Sequence, residues 1–296
     1  MGKNRYDCII IGAGPGGLQA AIHLARYNRR VLLLDQGGGR TRHARRLENY
    51  LGFEPASGKK LVDIGIRQVK SFGVEFKSEQ ARSLQAENIF AVNTDQADYQ
   101  APYIVVSSGA RENHPLIKGM NRFFARTIFT CVDCDGYRTT NKKLVILGDS
   151  LEAFRLAFAM KQMFTRDITL ILSPHSLPVD HVDLLLEEDI AFVAGKPEEF
   201  LGETDLTGIR LADGQEITSE VVMLSYGYTI NDSFLTGLPL KRESGSNKLI
   251  TDHAGESSVK NLFALGALRV GRAQAIIAAG QGAMVGIEIN HRLLEL

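Results

Sequence analysis

The sequence is short of several things. Its 296 residues include three cysteines and no tryptophan, and 34 basic against 34 acidic side chains leave a formal net charge of zero. Three cysteines are too few for a disulfide framework, and an odd count points to a reducing compartment. Zero net charge supplies no global field to draw in nucleic acid or an anionic membrane, which excludes partners that need a uniformly basic protein. No run approaches the roughly 18 consecutive apolar residues of a spanning helix. The first apolar run, Cys8 to Ile11, begins too near Met1 for a secretory signal, and Tyr6 stands where a myristoylation signal calls for Ser or Thr. A cytoplasmic protein with no nucleic-acid and no membrane partner is expected.

What is present is ordinary globular composition, 44% hydrophobic and 23% charged, with a length that fits about two domains. Tyr6 to Ile11 reads as a buried strand, Gly12-Ala13-Gly14-Pro15-Gly16-Gly17 as a turn, Leu18 to Arg26 as a helix, and Val31 to Leu34 as a second strand ending at Asp35. Together they make a βαβ unit for a dinucleotide. Gly12 permits the tight turn, Gly14 lets the backbone approach a pyrophosphate, and Gly17 lets helix and strand pack closely. The phosphates sit at the helix N-terminus, where unpaired N–H groups and the macrodipole favour anions. Asp35, 18 residues beyond Gly17, is placed to accept from ribose hydroxyls.

The same order returns at Leu144 to Leu147, Gly148-Asp149-Ser150-Leu151-Glu152-Ala153, a helix to about Met163, and a strand from Ile168 to Leu172. Here Ser150 replaces the second glycine, so a side chain intrudes where a pyrophosphate approaches. Leu172-Ser173-Pro174-His175 provides no acid or arginine. From Asp167 to Gly195 there are six acids and no Lys or Arg, the wrong sign for a 2′-phosphate. Val74 to Tyr103 reads as a small sheet that returns to the main one at Ile104 to Ala110. Val221 to Leu224 and Leu262 to Leu265 are further strands, and a helix from about Gln274 to Leu294, built from Ala, Gly, Ile and Leu, suits close packing on the first domain. The fold class expected is α/β, with two Rossmann-like FAD/NAD(P)-type domains, the second inserted into the first. The boundaries fall at 1–115 with 244–296 for the first domain and 116–243 for the insert.

Cys131-Val132-Asp133-Cys134-Asp135-Gly136 carries the chemistry. Two thiols with two residues between them can close a small disulfide, and the adjacent carboxylate can move the proton that thiol–disulfide exchange requires. Half a zinc site is the rival reading. It lacks a second Cys or His pair, so no metal is expected. Cys8 reads as a small buried hydrophobe. A dithiol accompanied by two dinucleotide domains points to a flavin as its electron partner.

At this point the chain resembles the low-molecular-weight thioredoxin reductases and their relatives, nearly end to end. The resemblance is carried by Gly12 to Gly17, Glu48-Asn49-Tyr50, Gly52-Phe53, Ser108-Gly109-Ala110, Cys131 to Gly136, Tyr226-Gly227, and Gly266 with Gln274-Ala275 and Ala279-Gly280. It implies FAD on the first domain and a homodimer. The implied flavin site comprises Gly12, Gly14, Pro15, Gly16, Gly17, Asp35, Gln36, Gly39, Arg40, Asn49, Ala81, Ser108, Gly109, Gly266, Gln274 and Ala275. It also implies that Cys134 lies against the flavin, Cys131 attacks the external disulfide of thioredoxin or another substrate, and Asp135 is acid and base.

The departures matter equally. Ser150 breaks the family's second fingerprint, and its His-Arg-Arg run for the NADPH phosphate falls on Leu172, Ser173 and Pro174. The family's Gly-Asp that holds the ribityl chain is Gly266-Ala267, and its Arg-Gln-Ala is Ala273-Gln274-Ala275. The chain therefore resembles the branch that dispenses with NADPH: ferredoxin-linked enzymes, diflavin-linked disulfide oxidoreductases with a second FAD per chain, and dithiol oxidases that use oxygen. An NADPH-linked thioredoxin reductase with a degenerate motif and a redox sensor without turnover remain as alternatives. Four arginines lie between Arg40 and Arg46 without an acid, after Gly37-Gly38-Gly39. They read either as a solvated loop in which Arg40 touches FAD phosphate, or as the seat of a second anion or of an acidic ferredoxin-type donor.

Overall fold

The computed structural model describes residues 4–173 and 178–294. The chain divides into two compact units. One holds the described residues up to Arg111 and from Thr229 onward; the other is Glu112–Tyr228. The expected boundaries of 116 and 243 shift for packing reasons. Phe234 and Leu235 bury in the first unit's core beside Leu84 and Phe90, so residues after Thr229 belong there. Asn113 donates its backbone N–H to Gly227, and the His114 ring packs on Phe124, which draws residues 112–115 into the second unit.

The chain opens with β1 (Cys8–Ile11), α1 (Pro15–Arg26), β2 (Val31–Leu34), a one-turn α2 (Arg40–His43), α3 (Gly58–Ser71) and β3 (Glu75–Lys77). A three-stranded antiparallel sheet follows, β4 (Ala81–Ala86), β5 (Phe90–Thr94) and β6 (Asp98–Ala101), then β7 (Tyr103–Val106) and β8 (Ala110–Glu112). The second unit runs through α4 (Met120–Phe123), β9 (Ile128–Phe129), α5 (Val132–Asp135), β10 (Leu144–Gly148), α6 (Leu151–Met163), β11 (Ile168–Leu172), α7 (Val179–Glu187) and β12 (Ala191–Ala194). An antiparallel β13 (Pro197–Leu201), β14 (Gly208–Leu211) and β15 (Glu216–Thr218) precede β16 (Val221–Ser225) and β17 (Tyr228–Ile230). The first unit is completed by β18 (Leu262–Ala264) and α8 (Ala275–Leu294).

Each unit is built on a five-stranded parallel sheet, ordered β18-β7-β1-β2-β3 in the first and β12-β11-β10-β16-β9 in the second. In the first, Cys8 pairs with both Val31 and Tyr103, and all four residues of β1, β2 and β7 are buried. Burial on both faces is why these strands read as unbroken apolar runs rather than as alternation. No helix among the described residues is long and apolar enough to cross a membrane.

Helix α1 starts on Gly14 as N-cap with Pro15 inside it, where the missing N–H costs nothing. It ends because Asn28 takes a left-handed φ of 60°, so that Asn28 and Arg29 donate their N–H groups to the carbonyls of Ala25 and Leu24. Its buried face, including Gly16, Ala20 and Leu24, meets α8. The two backbones approach closely: a Cβ on Gly282 would stand 2.1 Å from the Gly16 carbonyl oxygen, and one on Gly286 would stand 2.8 Å from His23 Cβ. The Ala/Gly composition of the last helix meets that requirement.

Candidate functional site

A cleft of about 540 Å³ opens in the first unit beyond the carboxyl ends of β1 and β7, where the strand order reverses. This is the switch point at which open parallel sheets take ligands. Gly12 has φ +106°, and a Cβ there would lie 2.3 Å from Ser107 O, so the turn tolerates no side chain. Gly17 sits behind the wall, where a Cβ would lie 2.0 Å from Gly12 O; its role is helix-on-strand packing. Gly14 differs. The nearest protein atom to its virtual Cβ is 4.0 Å away, so the space kept open there faces the cleft. The first turn of α1 carries no acid, so its free N–H groups present unopposed positive potential to a phosphate.

The rest of the wall is stapled by side chains. Asp35 Oδ1 accepts from Ala13 N at 2.9 Å and Oδ2 from Gly37 N at 3.1 Å, tying the first loop to the second. Each oxygen keeps a lone pair for a ribose hydroxyl. Gln36, Gly39, Arg40 and the buried Ala81 also line the cleft. Ser108 and Gly109 are held by Asn231: Ser108 Oγ donates to its carbonyl at 2.5 Å, its amide returns a bond to Ser108 O at 3.0 Å, and its N–H reaches Gly109 O. Gly266, at φ +62°, donates to Gln281 Oε1 at 2.8 Å. Gln274 and Ala275 complete this side, while Asn49 stands outside the wall and donates to Gln274 Oε1 at 2.9 Å. Asn231 and Gln281 escaped the sequence reading, because neither lies in a motif; Asn231 was counted with the inserted domain.

The arginine segment is partly ordered by pairing. Arg40–His43 forms a helical turn, Arg42 pairs with Asp63 of α3 at 2.9 Å, and Arg46 pairs with Glu48 at 2.6 Å. Asp63 from α3 and the neighbouring Glu48 thus cancel part of the local excess. Arg40 and Arg42 line the same cleft as the glycine turn.

In the second unit the corresponding turn keeps its packing and changes its surface. A Cβ on Gly148 would fall 2.4 Å from Ala153 Cβ and 2.9 Å from Ser225 O, so the strand-to-helix contact is intact. Ser150 is the N-cap of α6, yet its side chain makes no capping bond. Burial, joined by the nearby Asp149 carboxylate, pushes the Tyr226 phenol up to about 12. Glu152 occupies the first turn of α6 and engages Arg155 at 2.6 Å. Leu172 is buried and Ser173 exposed; Pro174 and His175 lie outside the described residues.

Cys131 and Cys134 form a disulfide with 5.3 Å between Cα atoms. Cys131 is extended and caps α5; its carbonyl accepts from Cys134 N at 3.2 Å and Asp135 N at 3.0 Å. Gly136 is required next, because a Cβ would strike the Phe164 ring at 2.7 Å. The Asp135 carboxylate pairs with Arg138 at 3.1 Å. Cys8 is fully buried in β1, and burial pushes its thiol far above the ordinary range, out of redox chemistry at neutral pH.

A dinucleotide cleft in one parallel-sheet unit and a CxxC disulfide in another define a flavin-dependent disulfide oxidoreductase. The sequence profile of the pyridine nucleotide-disulphide oxidoreductases matches residues 6–282, and the chain belongs to that family. It is 29% identical over 303 residues to a thioredoxin reductase of Aquifex aeolicus (strain VF5), covering 96% of this chain and 92% of that one. Among solved structures, HlmI aligns with a TM-score of 0.91 at 27% identity, covering 100% of this chain and 94% of the other. The thioredoxin reductase of Streptococcus pyogenes MGAS5005 shares the fold at a TM-score of 0.91, with 24% identity and 100% of both chains covered.

Proposed function

We propose that the first-unit cleft holds FAD and that the Cys131/Cys134 pair carries electrons between it and the disulfide of another molecule, thioredoxin or a similar dithiol substrate. When bound, FAD supplies a carrier that takes two electrons and passes them on singly or as a pair. The chain's residues do the rest. The Gly12 to Gly16 turn and the α1 N-terminus hold the pyrophosphate, Asp35 takes the ribose, and Ser108, Gly109, Gly266, Gln274 and Ala275 border the remainder. Cys134 is the flavin-side sulfur, Cys131 attacks the external disulfide, and Asp135 holds or releases the proton. The working form is a homodimer in the cytoplasm.

The electron donor in this reading is not NADPH. The observation that carries it is the second turn: Ser150 stands where the backbone must bare itself to a pyrophosphate, beside Asp149 and without the cations a 2′-phosphate requires. A ferredoxin-type protein or a second flavin is the donor that fits. The second reading, an NADPH-linked thioredoxin reductase, is favoured by the name and near-complete coverage of the Aquifex relative. Anaerobic mixing of the flavin-loaded enzyme with NADPH separates them. Slow or absent bleaching of the flavin band, with rapid bleaching by a reduced ferredoxin, supports the first; rapid bleaching by NADPH establishes the second.

A further inference from the structure

The 3-10 turn Gly136–Thr139 follows α5 directly and brings Arg138 back onto the acid that precedes it. Arg138 Nε donates to Asp135 Oδ1 at 3.1 Å, and each side chain keeps a quarter of its surface exposed. The guanidinium also stands 5.1 Å from the Tyr137 ring centre and 5.9 Å from that of Phe129 on β9, so aromatic faces hold it from two elements. The turn itself is pinned. Fully buried Thr139 donates Oγ1 to Gly136 O at 2.7 Å, and Gly136 is packed against Phe164. This cation is fixed by rings and backbone, unlike an exposed surface pair free to sample many rotamers.

We propose that Arg138 is a positioning residue for the thiol chemistry of Cys131 and Cys134, holding the Asp135 carboxylate ionised and oriented next to Cys134. The role rests on the reading of Asp135 as the acid–base group. In the exchange, the Cys131 sulfur attacks one sulfur of the substrate disulfide, that S–S bond breaks, and the proton from the Cys131 thiol goes to the departing sulfur. Cys134 gives its proton to Asp135 and attacks Cys131 Sγ. The mixed disulfide breaks, and the second departing sulfur takes the proton from Asp135. The chain's dithiol loses two electrons and two protons, and the substrate disulfide gains both. An adjacent cation favours the carboxylate over the carboxylic acid, which keeps Asp135 ready to accept. The titratable groups sharing its turn are Cys131, Cys134, Asp133 and Tyr137. Phe129 of β9 and Phe164 beyond α6 pack here from other elements and bring no charge.

The test is the pH dependence of thiol alkylation. The flavin-loaded protein is reduced anaerobically, and iodoacetamide uptake at Cys131 and Cys134 is followed by mass spectrometry; the midpoint belongs to the thiol–carboxylate cluster as a whole. Arg138→Gln is expected to move that midpoint up by about one pH unit, because a stabilising positive charge is lost. Arg138→Lys should restore most of the shift, and in an Asp135→Asn background Arg138→Gln should add little. An unmoved midpoint in Arg138→Gln, or equal shifts in the Gln and Lys variants, overturns the assignment. Alkylation needs neither donor nor disulfide substrate. A wild-type protein with the expected Arg138 dependence but no turnover would therefore count against the proposed function and leave this role standing.

Discussion

Gly282 of α8 lies against Gly16 of α1 so closely that a single added methyl group would meet the Gly16 carbonyl oxygen at 2.1 Å. The contact joins the last helix to the phosphate-facing start of the first. Gly282→Ala must push backbone away from backbone, an overpacking that costs about 1 to 3 kcal/mol. The expected outcome is a Tm lowered by several degrees together with weaker flavin retention, because the N-terminal turn of α1 moves. Calorimetry and the flavin-to-protein ratio after gel filtration measure both. A variant as stable and as yellow as the parent would show that the helices separate without consequence.

Asp35 ties Ala13 to Gly37 through its two carboxylate oxygens. Hydrogen bonds to a charged group contribute about 1.5 to 3 kcal/mol each, so Asp35→Ala frees both loops at the cleft. FAD affinity should fall at least tenfold, about 1.4 kcal/mol, with little change in circular dichroism. Flavin fluorescence titration of the apoprotein reads the change directly; equal affinities would mean the glycine turn holds its shape unaided.

The two βαβ units were legible because their signals are local: buried strands as unbroken apolar runs, a glycine turn, then a helix. The helix read from Leu18 to Arg26 begins in the structure at Pro15, inside what read as the glycine turn, and ends at Arg26 as expected. The pairing within the charge excess at Arg40 to Arg46 was not legible, since Asp63 reaches Arg42 from another element and no local pattern announces that. Asn231 and Gln281 were illegible for the same reason, as each serves the cleft only once distant segments meet. The insert boundary was misplaced because Phe234 and Leu235 look like any apolar pair until their core partners, Leu84 and Phe90, are known.

Glu256 titrates in a way that makes acid stability a readout of the C-terminal helix. Burial alone pushes its carboxyl up, but the bond from Arg292 at 2.8 Å and one from the Asn261 backbone outweigh it and bring it below the ordinary 4.5. A carboxylate whose folded pKa is depressed contributes stability that is present above the unfolded value and lost as pH falls through the folded one. The wild type should therefore lose more Tm than Glu256→Gln between pH 5 and pH 3, the two curves converging at the acid end. Parallel curves across that range would remove Glu256 from the account.

The proposed function requires that electrons pass between the Cys131–Cys134 disulfide and bound FAD. An anaerobic dithionite titration of the flavin-loaded enzyme, read at the flavin band, tests it most directly. Because a disulfide takes two electrons, the wild type should consume two more electrons per chain than Cys134→Ser before bleaching is complete. Equal uptake by the two proteins, with the disulfide still closed when the flavin is fully reduced, would contradict the claim.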